Sequence, residues 1–322
     1  MGVGFAWLKS CKSHPKLSLQ LMTKTKQNNQ LLWPYHLLAI AVILVWGITF
    51  VNTKVLILHG MRPTEIFMVR FILAYLGIWT IAPHRLWADN WKDELLMVLL
   101  GITGGSMYFV AENMAIGISY VNNVSFIVCT APLITTILAI LLIRNVKATT
   151  RLIGGSLLAL AGVAVVIFNG HFVLRLNPLG DMLALTAAFC WAAYSLLMRK
   201  ATRRYGAVFI TRKVFAYGLL TMIPVFIFQP WECSWQQFLL PVVWGNLLFL
   251  GVVASFACFI LWNLAIKKVG ALSTSNYVYL NPVTTVVASA LILSEPMTTM
   301  AWAGSAMILA GVWLANTERQ QE

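Results

Sequence analysis

Long apolar runs separated by short polar stretches dominate the chain. Ten of them reach or approach the ~20 residues that a helix needs to cross a hydrocarbon core. They are 36–58, 64–82, 95–116, 121–143, 151–168, 178–198, 210–229, 240–264, 271–293 and 299–316. Each is expected to be a helix, because an open sheet edge or loop finds no water in lipid. The run 151–168 is short, and 240–264 is long enough to tilt. An all-α membrane protein with ten transmembrane helices is the predicted fold.

The stretch before the first run, 1–34, is polar and carries Lys9, Lys12, Lys16, Lys24 and Lys26. It lacks the apolar core and small-residue cleavage site of a secretory signal, and reads as a disordered cytoplasmic tail. Met22 offers a second start, which leaves open whether 1–21 are translated.

Composition excludes a soluble globule: 60% of the 322 residues are hydrophobic and 10% charged, against roughly a quarter charged in soluble domains. The net charge of +13 would suit nucleic acid, but the basic residues sit in short clusters between apolar runs. The bilayer, not nucleic acid, is therefore the expected partner. With the amino terminus inside, nineteen Lys and Arg fall on inner flanks and two, Arg62 and Arg175, on outer ones. That asymmetry predicts both termini inside.

The chain also repeats. At a shift of 150, Gly101 meets Gly251, Phe109 meets Phe259, Asn113 meets Asn263, Pro132 meets Pro282, and Gly154 meets Gly304. At a shift near 145, Trp46 meets Trp191 and Lys54 meets Arg199. Two five-helix units, 35–169 and 177–317, follow. Five is odd, so the second enters from the opposite face, an inverted repeat around a central cavity.

Several motifs resemble the EamA-domain family of the drug/metabolite transporter superfamily. They are Trp46-Gly47-Ile48-Thr49-Phe50-Val51-Asn52-Thr53-Lys54, then Pro63 with Arg70-Phe71 and Ala74, then Trp191-Ala192-Ala193-Tyr194 with Arg199-Lys200. Asn281-Pro282-Val283, Glu295-Pro296, Trp302, Gly304 and Gly311 complete the pattern. The resemblance runs from about 36 to 316. It implies a ten-helix, multi-pass carrier of the cytoplasmic (inner) membrane, with a cavity lined mainly by helices 1, 3, 4, 6, 8 and 9. Members typically export amino acids or other small metabolites, and some import. One departure is Arg144-Asn145, where many relatives carry a Glu after the fourth helix.

The residues themselves suggest where transport occurs. Pro132 and Pro282 sit mid-run; each lacks an amide hydrogen and frees an acceptor four residues back, near Val128 and Val278. A simple kink is one reading, and a cavity-lining break in both repeats is the one adopted. Asn122, Asn276, Tyr277 and Asn281 make the fourth and ninth runs polar, either to join helices or to line a cavity. Asn52, Asn113 and Asn263 are placed on the cavity wall with them. Seven of the thirteen tryptophans fall near helix ends, as interfacial anchors. Trp46, Trp191 and Trp262 lie deeper and, with Tyr108, Tyr194, Phe256 and Phe259, offer either packing or a stacking surface for an aromatic or cationic substrate.

Lys54, Arg70 and Glu112 place charge inside apolar runs, all at similar depth. Arg70 lies roughly 9 Å in at 1.5 Å per residue. Charges there face the interior and find partners, so Glu112 is expected to pair with Lys54, Arg70 or both. The cluster is either a structural pair, or an outer gate and the anchor for a substrate carboxylate.

The five cysteines and five histidines form no ligand spacing, so no metal or cofactor is expected. No GxxxxGK[ST] loop, HExxH or paired Asp occurs. Direct ATP coupling and intramembrane catalysis are thereby disfavoured, leaving a proton or substrate gradient to drive transport. The expected function is a secondary carrier of small metabolites, with efflux the expected direction; a lipid flippase of the same superfamily is the alternative. Gly155-xxx-Ala159 and Ala306-xxx-Ala310 permit close helix approach, within the chain or across a homodimer.

Overall fold

The computed structural model describes residues 32–82, 86–119, 121–143, 149–168, 177–284, 287 and 299–317. All regular structure among them is helical. In chain order the helices are α1 (Trp33–Leu58), α2 (Pro63–Ile81), α3 (Trp91–Ile118) and α4, in two pieces (Val121–Val128 and Ala131–Leu142). Then come α5 (Thr150–Phe168), α6 (Pro178–Ala201), α7 (Ala207–Phe228) and α8 (Pro241–Val269). The described part of α9 is Ala271–Ser275 followed by a tighter turn, Asn276–Leu280, and α10 is Thr299–Asn316. Seven of these are long and apolar enough to cross a membrane; α5 and α10 are shorter apolar helices. The amino-terminal tail, Arg144-Asn145 and most of 285–298 lie outside the described residues.

Local chemistry sets the helix ends. Pro63 opens α2, where its missing amide costs nothing, and Glu65 reaches back to the amide of Arg62 at 2.8 Å. The same buried carboxylate accepts from the amides of Glu232 (2.6 Å) and Cys233 (2.8 Å), tying the α7–α8 loop onto α2. Asn90 caps α3, accepting from the amide of Asp93 at 2.9 Å. Gly270, at φ 101°, turns α8 directly into α9, a conformation that L side chains rarely adopt.

Besides the breaks in α4 and α9, two helices depart from the unbroken α-helix that their apolar runs predict. Phe249–Ala257 of α8 is π-helical, and α3 kinks through Ile102–Ser106, where Gly105 leaves helical geometry at φ −122°, ψ −107°. Both segments pack closely at small residues. A Cβ on Gly104 would lie 2.2 Å from the Tyr194 ring of α6, and one on Gly101 2.4 Å from Cβ of Tyr217 on α7. A Cβ on Gly251 would lie 2.7 Å from Cβ of Leu73 on α2. Thus α3 lies against α7 as α8 lies against α2, at glycines 150 residues apart in the sequence. A π turn also unpairs carbonyls, and the indole of Trp46 takes that of Ala254 at 2.8 Å.

Helices α5 and α10 pack along each other. A Cβ on Gly155 would meet Ala315 N at 2.5 Å, and one on Gly311 would meet Ala159 N at 2.4 Å. The Gly155-xxx-Ala159 face is therefore occupied within the chain, whereas Ala306 and Ala310 are exposed.

The two ends of the bundle differ in chemistry. Around Gly60, between α1 and α2, the buried Glu65 accepts from three backbone amides, and the ion pair there, Arg62 with Glu232, is solvent-facing. Around Tyr205, between α6 and α7, the ion pairs are made by the buried Asp93 and the half-buried Glu94. Asp93 accepts from Arg204 (3.0 Å), Tyr205 (2.9 Å) and Asn90 (2.9 Å). Glu94 accepts from Lys213, Tyr217 and the amide of Ala88.

Candidate functional site

Midway between those ends, α1, α2, α3, α4, α6, α8 and α9 surround a cavity. About 30 Å³ of it is open to the centre of a water molecule. That is room for one or two waters.

Its chemistry begins with two charges. Arg70 of α2 is 2% exposed. Its Nε donates to Ser255 Oγ of α8 at 2.9 Å, and its guanidinium lies 4.2 Å from the centre of the Phe109 ring. Among the described residues its two Nη groups make no hydrogen bond. Glu112 of α3 is also buried and accepts from the Tyr108 hydroxyl at 2.8 Å. Arg70 and Glu112 line the same cavity from different helices, yet among the described residues they form no ion pair. Lys54 does not join them: its Nζ donates to the carbonyl of Ile116 at 2.9 Å, near the end of α3. Of the partners expected for Glu112, Lys54 bonds elsewhere and Arg70 attracts it across the cavity without direct contact, while the hydrogen bond comes from a tyrosine on its own helix, one turn back.

Aromatic rings form the rest of the wall. Trp46 meets Trp191, Phe259 and Trp262 with ring centres 5.2, 5.6 and 5.1 Å apart. Trp191 and Tyr108 lie 5.0 Å apart. Among the described residues the buried Trp191 indole nitrogen has no hydrogen-bond partner. Val128 and Val278, each four residues before a mid-run proline, also line the cavity, as does Asn281. Around them α4 is interrupted at 129–130 and α9 tightens over Asn276–Leu280. The thiol of Cys129 points to the Val278 carbonyl at 3.7 Å.

Of the residues singled out in the sequence, Trp46, Arg70, Tyr108, Glu112, Trp191, Phe259 and Asn281 line this cavity. Trp262 stacks one layer behind it, and Pro132 and Pro282 are buried a turn away from Val128 and Val278. The others are used elsewhere, between helices. Asn52 bonds Asn246; Asn113 donates to Pro63 O at 3.1 Å; Tyr194 donates to Asn263 at 2.6 Å. Asn276 donates to Asn316 at 3.1 Å, and Tyr277 bonds His36 at 2.7 Å. The side chain of Asn122 lies outside the described residues. Sequence reasoning overlooked Ser255, Thr49 and Phe50. Ser255 lies in the π segment of α8, and nothing short of the fold reveals that it faces Arg70.

The EamA-like transporter family model matches the chain twice, over residues 33–168 and 178–317. An uncharacterized transporter of Archaeoglobus fulgidus is 25% identical over 89% of this chain and 98% of its own length. A probable amino-acid metabolite efflux pump of Escherichia coli is 25% identical over 86% of this chain and 93% of its own. A solved crystal structure, 17% identical, superposes with a TM-score of 0.70 over 88% of this chain and 98% of that one; at that identity the likeness speaks for the fold alone. With both halves matched, and with its long apolar helices, this multi-pass membrane protein belongs to the EamA-like transporter family.

Proposed function

We propose that the chain is a secondary carrier that exports small carboxylate-bearing metabolites, amino acids or related compounds, across the cytoplasmic membrane by alternating access. The observation that carries this reading is Arg70: a buried cation that lines the cavity, with Nη groups that make no hydrogen bond among the described residues. A planar guanidinium with two free donors suits a carboxylate, which it holds through paired hydrogen bonds. Glu112, on another helix, then provides acceptor capacity for a substrate ammonium, or a proton site for coupling to a proton gradient. The aromatic wall excludes water and strengthens both interactions. The probable efflux pump of Escherichia coli lends weight to amino-acid substrates and to the outward direction. Ten helices in two inverted halves, with both termini inside, complete the proposed architecture. It is supported by the sequence repeat, by the matched interruptions of α3 and α8 and by the charge count along the chain.

A lipid flippase remains the second reading, favoured by one feature. An open apolar groove between α4 and α6, lined by Leu138, Leu142 and Leu197, ends among Arg199, Lys200 and Arg203. The groove holds no buried charge comparable with Arg70, which is why the carrier reading is preferred. Metabolite profiles of medium and cytosol in cells overproducing the protein test export: enrichment of a carboxylate-bearing metabolite in the medium is expected. An unaltered profile with correctly inserted protein, together with leaflet exchange of labelled lipid in liposomes, would replace the carrier with the flippase.

A further inference from the structure

Asn113 of α3 and Asn263 of α8 lie 150 residues apart, at equivalent positions of the two matched halves. Both are fully buried. Each follows, one helical turn later, an aromatic residue at the cavity: Phe109 before Asn113 and Phe259 before Asn263. Asparagine amides in apolar helices need partners, and the partners these two find are related in kind.

Hydrogen bonds and close packing around the cavity join the helices in two sets, which also meet where Phe71 of α2 packs on Gly105 and Gly218 and where Arg212 of α7 bonds the Ala82 carbonyl. In one, Trp46 of α1 and Arg70 of α2 are bonded to α8 through Ala254 O and Ser255, and Gly47 of α1 abuts Asn281 and Thr284. In the other, α3 meets α7 through Gly101 and the Ser106–Thr221 bond, and meets α6 through Gly104 against Tyr194. Asn113 crosses between the groups at the Gly60 end, donating to Pro63 O in the first turn of α2 at 3.1 Å. Asn263 crosses at the Tyr205 end, donating to Thr211 Oγ1 in the second turn of α7 at 2.8 Å and accepting from Tyr194 of α6 at 2.6 Å. A lysine makes a second crossing bond beside each. Lys54 donates to Ile116 O at 2.9 Å near Asn113, and Lys267, one turn beyond Asn263, donates to Tyr205 O at 3.3 Å.

We propose that Asn113 and Asn263 are the latches of the two gates, Asn113 closing the outer end of the cavity and Asn263 the inner end. The proposal rests on the alternating-access reading above. Both latches are made in this structure, which accords with a cavity closed down to room for one or two waters. Transport then requires one latch to release while the other holds. Neither asparagine need touch the substrate; each acts through the helices it joins.

The test places a reporter in the cavity, Val128→Cys in the full-length chain, with the parent chain giving the background from native cysteines. A membrane-impermeant thiol reagent is applied to right-side-out and to inverted vesicles. Asn113→Ala should raise labelling from outside and lower it from inside by about fivefold, the shift expected when one hydrogen bond leaves a two-state equilibrium. Asn263→Ala should do the reverse. Lys54→Met and Thr211→Ala repeat the experiment without altering either asparagine, should an asparagine variant fail to insert. A merely structural asparagine would lower protein yield without opposite sidedness. Equal or unchanged labelling in all four variants, while added substrate still alters labelling of the Val128→Cys reporter, would overturn the latches and spare the carrier. A reporter open to one side under every condition, with no export, would overturn both.

Discussion

At the Tyr205 end, Asp93 accepts from Arg204, Tyr205 and Asn90, and Glu94 from Lys213, Tyr217 and the amide of Ala88. In the central cavity, among the described residues, Arg70 has one hydrogen bond, from Nε to Ser255, and Glu112 has one, from Tyr108. Both regions withdraw charge from solvent, at a cost of several kcal/mol per ion when nothing compensates. At the Tyr205 end the chain itself supplies the compensation, and the result is a strut between the start of α3 and the start of α7. In the cavity the compensation is incomplete among the described residues, and on the proposed reading a substrate completes it.

Substitutions that separate those two roles break or sharpen the contrast. The largest effect is expected of Arg70→Met, which should reduce export at least about a hundredfold, as when one partner of a desolvated, hydrogen-bonded charge pair is removed. Its thermal unfolding midpoint in detergent should not fall, because the methionine no longer buries a cation. Next is Glu112→Gln, which keeps shape and the tyrosine contact but loses the charge. Export should fall by at least about tenfold at unchanged membrane insertion, as read by a fluorescent carboxy-terminal fusion. Lys213→Met should invert the pattern: stability lower by about 1–3 kcal/mol through the stranded Glu94, and export per inserted molecule close to that of the parent. Trp46→Phe is the mildest. It keeps a ring in the wall but releases the Ala254 carbonyl, and should weaken apparent substrate affinity only severalfold, about the worth of one hydrogen bond. If Lys213→Met abolished export while Arg70→Met only destabilised the fold, the contrast would be the wrong way round.

The helical architecture was legible because apolar runs of membrane-spanning length admit little else. Arg70 and Glu112 stood out for a related reason: a charge inside such a run must face the protein interior. Their partners were not legible. A carboxylate four residues after Tyr108 lies on the same helical face, so a tyrosine within α3 answers Glu112 before any helix-crossing lysine does. Lys54, long and near a helix end, reaches the open carbonyl of Ile116 instead. Asn113 and Asn263 looked like cavity residues because a buried amide needs a partner, and the sequence does not say whether that partner is substrate or the next helix. The interruptions of α3 and α8 had a signal in Gly101, Gly104-Gly105 and Gly251, yet only the fold shows what packs there, Tyr194, Tyr217 and Leu73. Ser255 had no signal at all.

The most direct test compares metabolite export at matched membrane levels for the parent chain, Arg70→Met and Lys213→Met. Cells making the parent or Lys213→Met should accumulate the same carboxylate-bearing metabolites in the medium, and cells making Arg70→Met should not. Equal accumulation with Arg70→Met would contradict the account, because the open guanidinium in the cavity would then hold nothing that is transported.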